Sequence, residues 1–201
     1  MFDAALRRLI DPPLMAAGRG LAAAGVTANA MTVGGFAVGA LAVPALAAGR
    51  YDLALLAILI NRLADGLDGA IARATGPSDL GGYLDIVLDF VFYSAVVFGV
   101  ALGRPGLAVW AAFLIFSFVG TGSAFLAYAI VAAKRGVTTS ARGHKSIYYL
   151  GGLTEGSETI LAFILICLLP DAFPWIAGVF GAMCWITTAS RVWQAVRMFG
   201  D

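Results

Sequence analysis

Apolar residues fill this chain in long blocks separated by short polar breaks. Six blocks, at about 30–48, 51–73, 81–102, 107–133, 158–169 and 175–196, predict helices, and a helix that crosses a bilayer needs about 20 apolar residues. The block at 158–169 is short unless Ser157 and the residues before it join the helix. Gly49-Arg50-Tyr51, Gly103-Arg104-Pro105-Gly106 and Pro170-Asp171 with Pro174 are the expected turns, and the longest polar stretch is 136–156. Residues 2–28 follow another pattern. Phe2, Leu6, Leu9, Ile10, Leu14 and Leu21 alternate with Arg7, Arg8 and Arg19, which predicts an amphipathic helix lying in the membrane interface, broken at Asp11-Pro12-Pro13. That interruption also removes the continuous apolar run of a cleavable signal, so the segment is expected to be retained.

The expectation is an all-α integral membrane protein with one domain over 1–201: an interfacial segment at 1–28, then a core of six transmembrane helices at 29–201. Composition sharpens this. Of 201 residues, 61% are hydrophobic and 12% charged, against about 25% charged in a soluble domain. The net charge of +1 says nothing by itself, and no nucleic-acid partner is expected. Cys167 and Cys184 fall inside apolar runs and read as small buried thiols. With six spans both termini share one side, which collects Arg7, Arg8, Arg19, Lys134, Arg135, Arg142, Lys145, Arg191 and Arg197 and leaves Arg50 and Arg104 opposite. Excess Lys and Arg mark cytoplasmic loops, so the termini and the 2–3 turn are expected to face the cytoplasm across the inner membrane. Gly35 and Gly39 form a small-xxx-small pair for close helix packing.

Against this background the acids stand out. Asp65 and Asp68 are three residues apart and Asp85 and Asp89 four apart, so each pair shares one face of its helix and four carboxylates converge between neighbouring helices. An Asp in the hydrocarbon costs at least about 2.5 kcal/mol, and four together repel unless cations neutralise them. All-carboxylate donors suit Mg²⁺ or Mn²⁺, whose open positions take phosphate oxygens. Gly66, Gly69 and Ala72 leave the same helix surface bare for a diphosphate, and the planar fork of Arg73 suits phosphate. An ion-coupled pathway, or helices joined by Asp–Arg pairs, is the competing reading of these residues.

The run Asp-x-x-Asp-Gly-x-x-Ala-Arg, then Gly-x-x-x-Asp-x-x-x-Asp, is filled here by Asp65, Asp68, Gly69, Ala72, Arg73, Gly81, Asp85 and Asp89. In this the chain resembles the CDP-alcohol phosphatidyltransferases. The resemblance implies that Asp65, Asp68 and Asp85 ligate one or two ions, and that Asp89 touches metal and deprotonates an acceptor hydroxyl. It implies a CDP-linked donor, CDP-diacylglycerol or a CDP-alcohol, a small alcohol or a lipid as acceptor, release of CMP, and a homodimer among membrane lipids. Asn29 and Thr32 match a Pro-Asn-x-x-Thr stretch that contacts cytidine in the family, with Ala28 in place of the proline. A helix-capping role for either residue is the other reading. Ser78 faces the nucleotide or serves the turn after Gly76-Pro77.

The acceptor is less legible. Lys134, Arg135, Arg142, Lys145 and Arg191 lie on the expected cytoplasmic side, where they bind a phosphorylated alcohol or enforce topology and snorkel to headgroups. Arg191, inside an apolar block, is the most suggestive of them. Glu155 and Glu158 suit the N-terminus of the fifth helix, or hydrogen-bond a polyol. Two other functions use similar acids: a membrane prenyltransferase, towards which Asn61 before Asp65 points, and a cation transporter. Prenyltransferases are generally longer, with acidic motifs in separated halves, whereas all four acids here lie within 25 positions, and a transporter does not need Gly69, Ala72 and Arg73 in register.

Overall fold

The computed structural model describes residues 3–136 and 152–200, and every regular element among them is helical. Helix α1 spans Asp3–Ala23. It ends in a Schellman turn, in which Val26 N–H reaches the Leu21 carbonyl and Gly25 N–H that of Ala22. Gly25 takes φ +84 there, a left-handed conformation that glycine adopts without steric cost. Helix α2, Ala28–Ala40, is capped by Thr27, whose hydroxyl accepts from Ala30 N–H at 3.2 Å. Helix α3, Ala42–Ala47, continues α2 after a break at Leu41. Then come α4, Tyr51–Thr75, α5, Asp79–Gly103, and α6, Ala108–Lys134, entered through a 3₁₀ turn at Pro105–Leu107. Helices α7, Gly156–Leu168, and α8, Phe173–Phe199, flank a second 3₁₀ turn at Pro170–Ala172.

Two expectations about continuity are corrected. The block at 30–48 is two helices, because Pro44 has no N–H and its ring crowds the carbonyl of Ala40, four residues earlier. The first segment is not broken at Asp11-Pro12-Pro13; α1 runs through both prolines. Pro12 and Pro13 likewise lack an N–H and crowd the carbonyls of Arg8 and Leu9, but docking of Leu14, Met15 and Gly18 against α4 holds the helix on their C-terminal side.

Among the described residues, four helical stretches are long and apolar enough to cross a membrane: Ala28–Ala47, Asp79–Gly103, Pro105–Lys134 and Pro170–Phe199. Helix α4 has the length, but its Asn61, Arg62, Asp65 and Asp68 lower its hydropathy; α7 is apolar but only 13 residues long. Large apolar side chains cover the outside, with Val109 and Trp175 each 80% exposed, as expected where lipid rather than water is the solvent.

Inside, α2 packs on α4 and α5, α5 on α6, α6 on α8, and α7 on α4 and α8. Phe92, Phe118, Phe163 and Phe180 stack edge to face through the middle, surrounded by Leu46, Ile58, Val96, Leu114, Ile166 and Phe173. At one end Arg104 pairs with Asp171 at 2.9 Å and donates to the Pro170 carbonyl at 2.8 Å, tying the α5–α6 turn to the α7–α8 turn.

The Gly35/Gly39 pair is where α2 meets α4. A Cβ on Gly35 would lie 2.5 Å from the Ala64 Cβ, and one on Gly39 would lie 2.8 Å from Phe92 and 2.9 Å from Asn61. Gly39→Leu is therefore expected to cost about 3 kcal/mol, read as a lowered Tm of the detergent-solubilised protein. Gly20→Ala, with nothing within 4 Å of its new Cβ, is the control: a helix-interior alanine there should leave Tm unchanged or raise it, by about 1 kcal/mol at most.

Candidate active site

The acids arrive on two helices held together by a third. Asp65 and Asp68 project from α4 and Asp85 and Asp89 from α5, and α2 packs against both helices. Helical spacing brings the first three into one group, each offering an oxygen within 4.8 Å of the others. Asp68 is buried, Asp65 half-buried and Asp85 exposed, so the group opens from the helix interface outward. Asp89 lines the same cleft, with Thr32, Gly35 and Phe36 of α2 and Asn61 and Arg62 of α4.

Asp89 lies outside that group of three. Its Oδ1 is 2.7 Å from Arg62 Nη2, and its Oδ2 accepts from the Tyr93 hydroxyl at 3.2 Å. Arg62 also sits 3.6 Å from Asp65. Neither Arg62 nor Tyr93 figured among the expected site residues. The signal for Arg62 was a cation inside an apolar block, three residues before Asp65 and hence on its face. Tyr93, four residues after Asp89 and so on its face of α5, carried no comparable signal.

The donors fit a divalent cation by their own chemistry. Asp68 Oδ2 is buried with no hydrogen-bond partner, a costly state for a carboxylate oxygen unless a cation meets it. Asp65 and Asp85 supply further oxygens on the same centre, and a hard oxygen set of this kind suits Mg²⁺ or Mn²⁺.

Beside the acids, three of the expected nucleotide residues come together. Ser78 is the N-cap of α5, its Oγ accepting from Gly81 N–H at 3.0 Å. A Cβ on Gly81 would lie 3.0 Å from both that Oγ and the Asn29 Oδ1, so glycine leaves room for Asn29 to approach. Thr27, not Asn29 or Thr32, caps α2, and the capping reading of those two residues is overturned. Thr32 donates to the Ala28 carbonyl at 3.0 Å and lines the acidic cleft.

Arg73 is exposed one turn beyond Gly69, and a Cβ on Gly69 would lie 3.3 Å from its Nη1. Its Nε donates to Met15 Sδ of α1 at 3.2 Å. Ala72 is half-buried next to it. The bare surface of α4 is not all open, however. A Cβ on Gly66 would meet Leu14 of α1 at 2.9 Å, so this glycine seats α1.

The basic candidates are spread out. Arg191 of α8 is buried and donates to the Thr121 carbonyl at 2.9 Å, with its guanidinium 5.5 Å from the Phe125 ring. Arg135 donates to the Phe199 carbonyl at 3.1 Å, at the end of α8, and Lys134 is exposed at the end of α6. None of these three lines the acidic cleft. Arg142, His144 and Lys145 lie outside the described residues. Glu155 and Glu158 form a reciprocal capping box at the start of α7, Glu155 N–H donating to Glu158 Oε2 at 3.1 Å.

A helical, apolar chain with a cation-competent acidic group between two helices, and with Asn29, Ser78 and Gly81 close together at the start of α5, suits a membrane-embedded enzyme acting on phosphate. The chain belongs to the CDP-alcohol phosphatidyltransferase family, whose model matches residues 25–193. It is a transferase of substituted phosphate groups. It is 54% identical over 149 residues to the inner membrane protein YnjF of Escherichia coli (strain K12), covering 74% of this chain and 72% of that one. It is 33% identical over 147 residues to the archaetidylinositol phosphate synthase of Pyrococcus horikoshii, covering 72% and 70%. Among solved structures it is similar to the Mycobacterium tuberculosis phosphatidylinositol phosphate synthase with CDP-DAG bound, at TM-score 0.72 and 18% identity over 91% of this chain and 93% of that one. A second structure of that synthase, with manganese and citrate, matches at TM-score 0.68 and 20% identity over 89% and 87%.

Proposed function

We propose that this protein transfers a phosphatidyl group from CDP-diacylglycerol to the hydroxyl of an alcohol and releases CMP, using Mg²⁺ or Mn²⁺. The observation that carries the reading is the group of Asp65, Asp68 and Asp85, with its partnerless buried oxygen on Asp68. These three carboxylates hold one or two ions, with Asp89 at the edge of the set. When bound, the metal supplies positive charge to the oxygens of the donor diphosphate. Asn29, Thr32, Ser78 and Gly81 receive the cytidine nucleotide beside the acidic cleft, at the start of α5. Gly69 and Ala72 let the diphosphate approach α4, and Arg73 holds its charge as CMP departs. Asp89 takes the proton from the acceptor hydroxyl, whose oxygen attacks the phosphorus on the lipid side.

The single domain is read as six spans, α2 with α3 forming the first and α4 the second, and α1 lying in the cytoplasmic interface. Both termini and the acidic cleft face the cytoplasm, which the collected Lys and Arg support. The Arg104–Asp171 pair supports the six-span reading, because it joins two turns that six spans would leave together at the end opposite the termini. The working form is a homodimer. Arg191, with Lys134 and Arg135 nearer the surface and Arg142 a few residues on in sequence, favours an acceptor that carries phosphate, such as glycerol 3-phosphate or an inositol phosphate.

The test is a panel assay. Purified protein with Mn²⁺ or Mg²⁺, CDP-diacylglycerol and a series of alcohols and phosphorylated alcohols is expected to release CMP with at least one phosphorylated acceptor and none after EDTA. Absence of CMP with every acceptor, with metal uptake into vesicles instead, would overturn the reading.

A further inference from the structure

Arg62 belongs to none of the positions that define the family motif, yet each of its nitrogens is committed. Nε and Nη2 donate to the Asn61 Oδ1 at 2.8 and 2.6 Å, Nη2 also reaches Asp89 Oδ1 at 2.7 Å, and Nη1 donates to the Tyr93 hydroxyl at 3.2 Å. Asn61 is fixed in turn, because its Nδ2 donates to the Gly35 carbonyl of α2 at 3.0 Å. The guanidinium carbon lies 4.9 Å from the Phe92 ring centroid and 5.4 Å from that of Tyr93, so both aromatic rings pack on the cation. Tyr93 closes the circuit by donating to Asp89 Oδ2. Helices α4 and α5 thus meet on one carboxylate held at both oxygens, and Asn61 ties the pair to α2.

We infer that Arg62, backed by Asn61 and faced by Tyr93, is the positioning group for Asp89. It holds that carboxylate towards the cleft and apart from the Asp65, Asp68 and Asp85 group. The inference rests on the reading of Asp89 as the proton acceptor. In the step it serves, the acceptor O–H proton passes to the Asp89 carboxylate and a new P–O bond forms from the alcohol oxygen. The P–O bond to CMP breaks, and CMP leaves with the electron pair. A cation present only to neutralise an acid needs neither the bidentate hold on Asn61 nor the tie to α2. The fork geometry also explains arginine at this position: a lysine ammonium of similar reach is a point charge, unable to span Asn61 and Asp89 as a rigid plane.

A displacement of about 1 Å at a reacting group costs about a hundredfold in rate. Arg62→Lys is therefore expected to lower kcat by about 10- to 100-fold, with donor KM and Mn²⁺ affinity, read by electron paramagnetic resonance, within about twofold of wild type. Tyr93→Phe keeps the ring and loses the hydroxyl, and about a 3- to 10-fold fall in kcat alone is expected of it; this variant decides the matter if Arg62→Lys does not fold. Near-wild-type kcat in the folded variants, with Asp89→Asn inactive, would overturn the inference and leave the Asp89 reading standing. So would parallel losses of kcat and Mn²⁺ affinity, which would move Arg62 to the metal group. Normal turnover by Asp89→Asn removes the reading of Asp89 and the inference with it.

Discussion

Asp89→Asn is expected to fold normally in detergent and release CMP about a thousandfold more slowly than the wild-type protein, the middle of the range for a lost general base. The substitution keeps side-chain volume and an oxygen for Arg62 Nη2, and Arg62 retains Asn61 and its 3.6 Å approach to Asp65. The network around the site therefore loses one charge and no packing. What disappears is a group able to accept a proton from the alcohol. Steady-state kinetics with the acceptor found in the panel assay, alongside a thermal scan, separate the two effects. Near-normal turnover would mean that the proton leaves by another route.

Asp68→Asn is expected to behave in the opposite way at the two levels. Its Oδ2 is buried without a partner, so in metal-free protein the neutral amide should be as stable as the carboxylate or more so. With Mn²⁺ added the order reverses. A ligand that binds only the folded state at a hundred times its Kd adds about 2.7 kcal/mol, and the variant should forfeit most of that gain. Loss of the ion removes several kcal/mol of transition-state charge stabilisation, hence about a thousandfold or more in rate at 1.36 kcal/mol per decade. The measurement is Tm with EDTA and with Mn²⁺ for both proteins, followed by CMP release. Equal Mn²⁺-induced shifts in the two proteins would remove Asp68 from the metal group.

Much of this was legible from local spacing. Asp65 with Asp68, and Asp85 with Asp89, sit at helical intervals, and a helical period puts each pair on one face wherever the helix lies. Gly35 and Gly39 were readable for the same reason, and so were Glu155 and Glu158, whose cap is a local event. The break at Leu41 follows from Pro44, a rule of covalent geometry that the apolar run around it obscured. Pro12 and Pro13 misled in the other direction, since only contact with α4 tells whether a proline ends a helix or is carried through it. Long-range partners were the hidden part. Nothing near Arg62 announces Asp89, 27 positions away, and nothing near Arg191 announces Thr121, 70 away.

Helix α4 carries Arg62, Asp65 and Asp68 along with Asn61, and on the proposed six-span reading each ionised side chain in the hydrocarbon costs about 3 kcal/mol on insertion scales. The helix that holds the chemistry is thus the one least able to stay in the membrane by itself. Its hydrogen bond to the Gly35 carbonyl and its ion pair with Asp89 are available only once α2 and α5 are alongside. In chain order α2 precedes α4 and α5 follows it, so α4 gains the second of these partners only once α5 has been made. The buried polar contacts of α4 are thus completed last, by the same helix that brings Asp85 and Asp89 to the site.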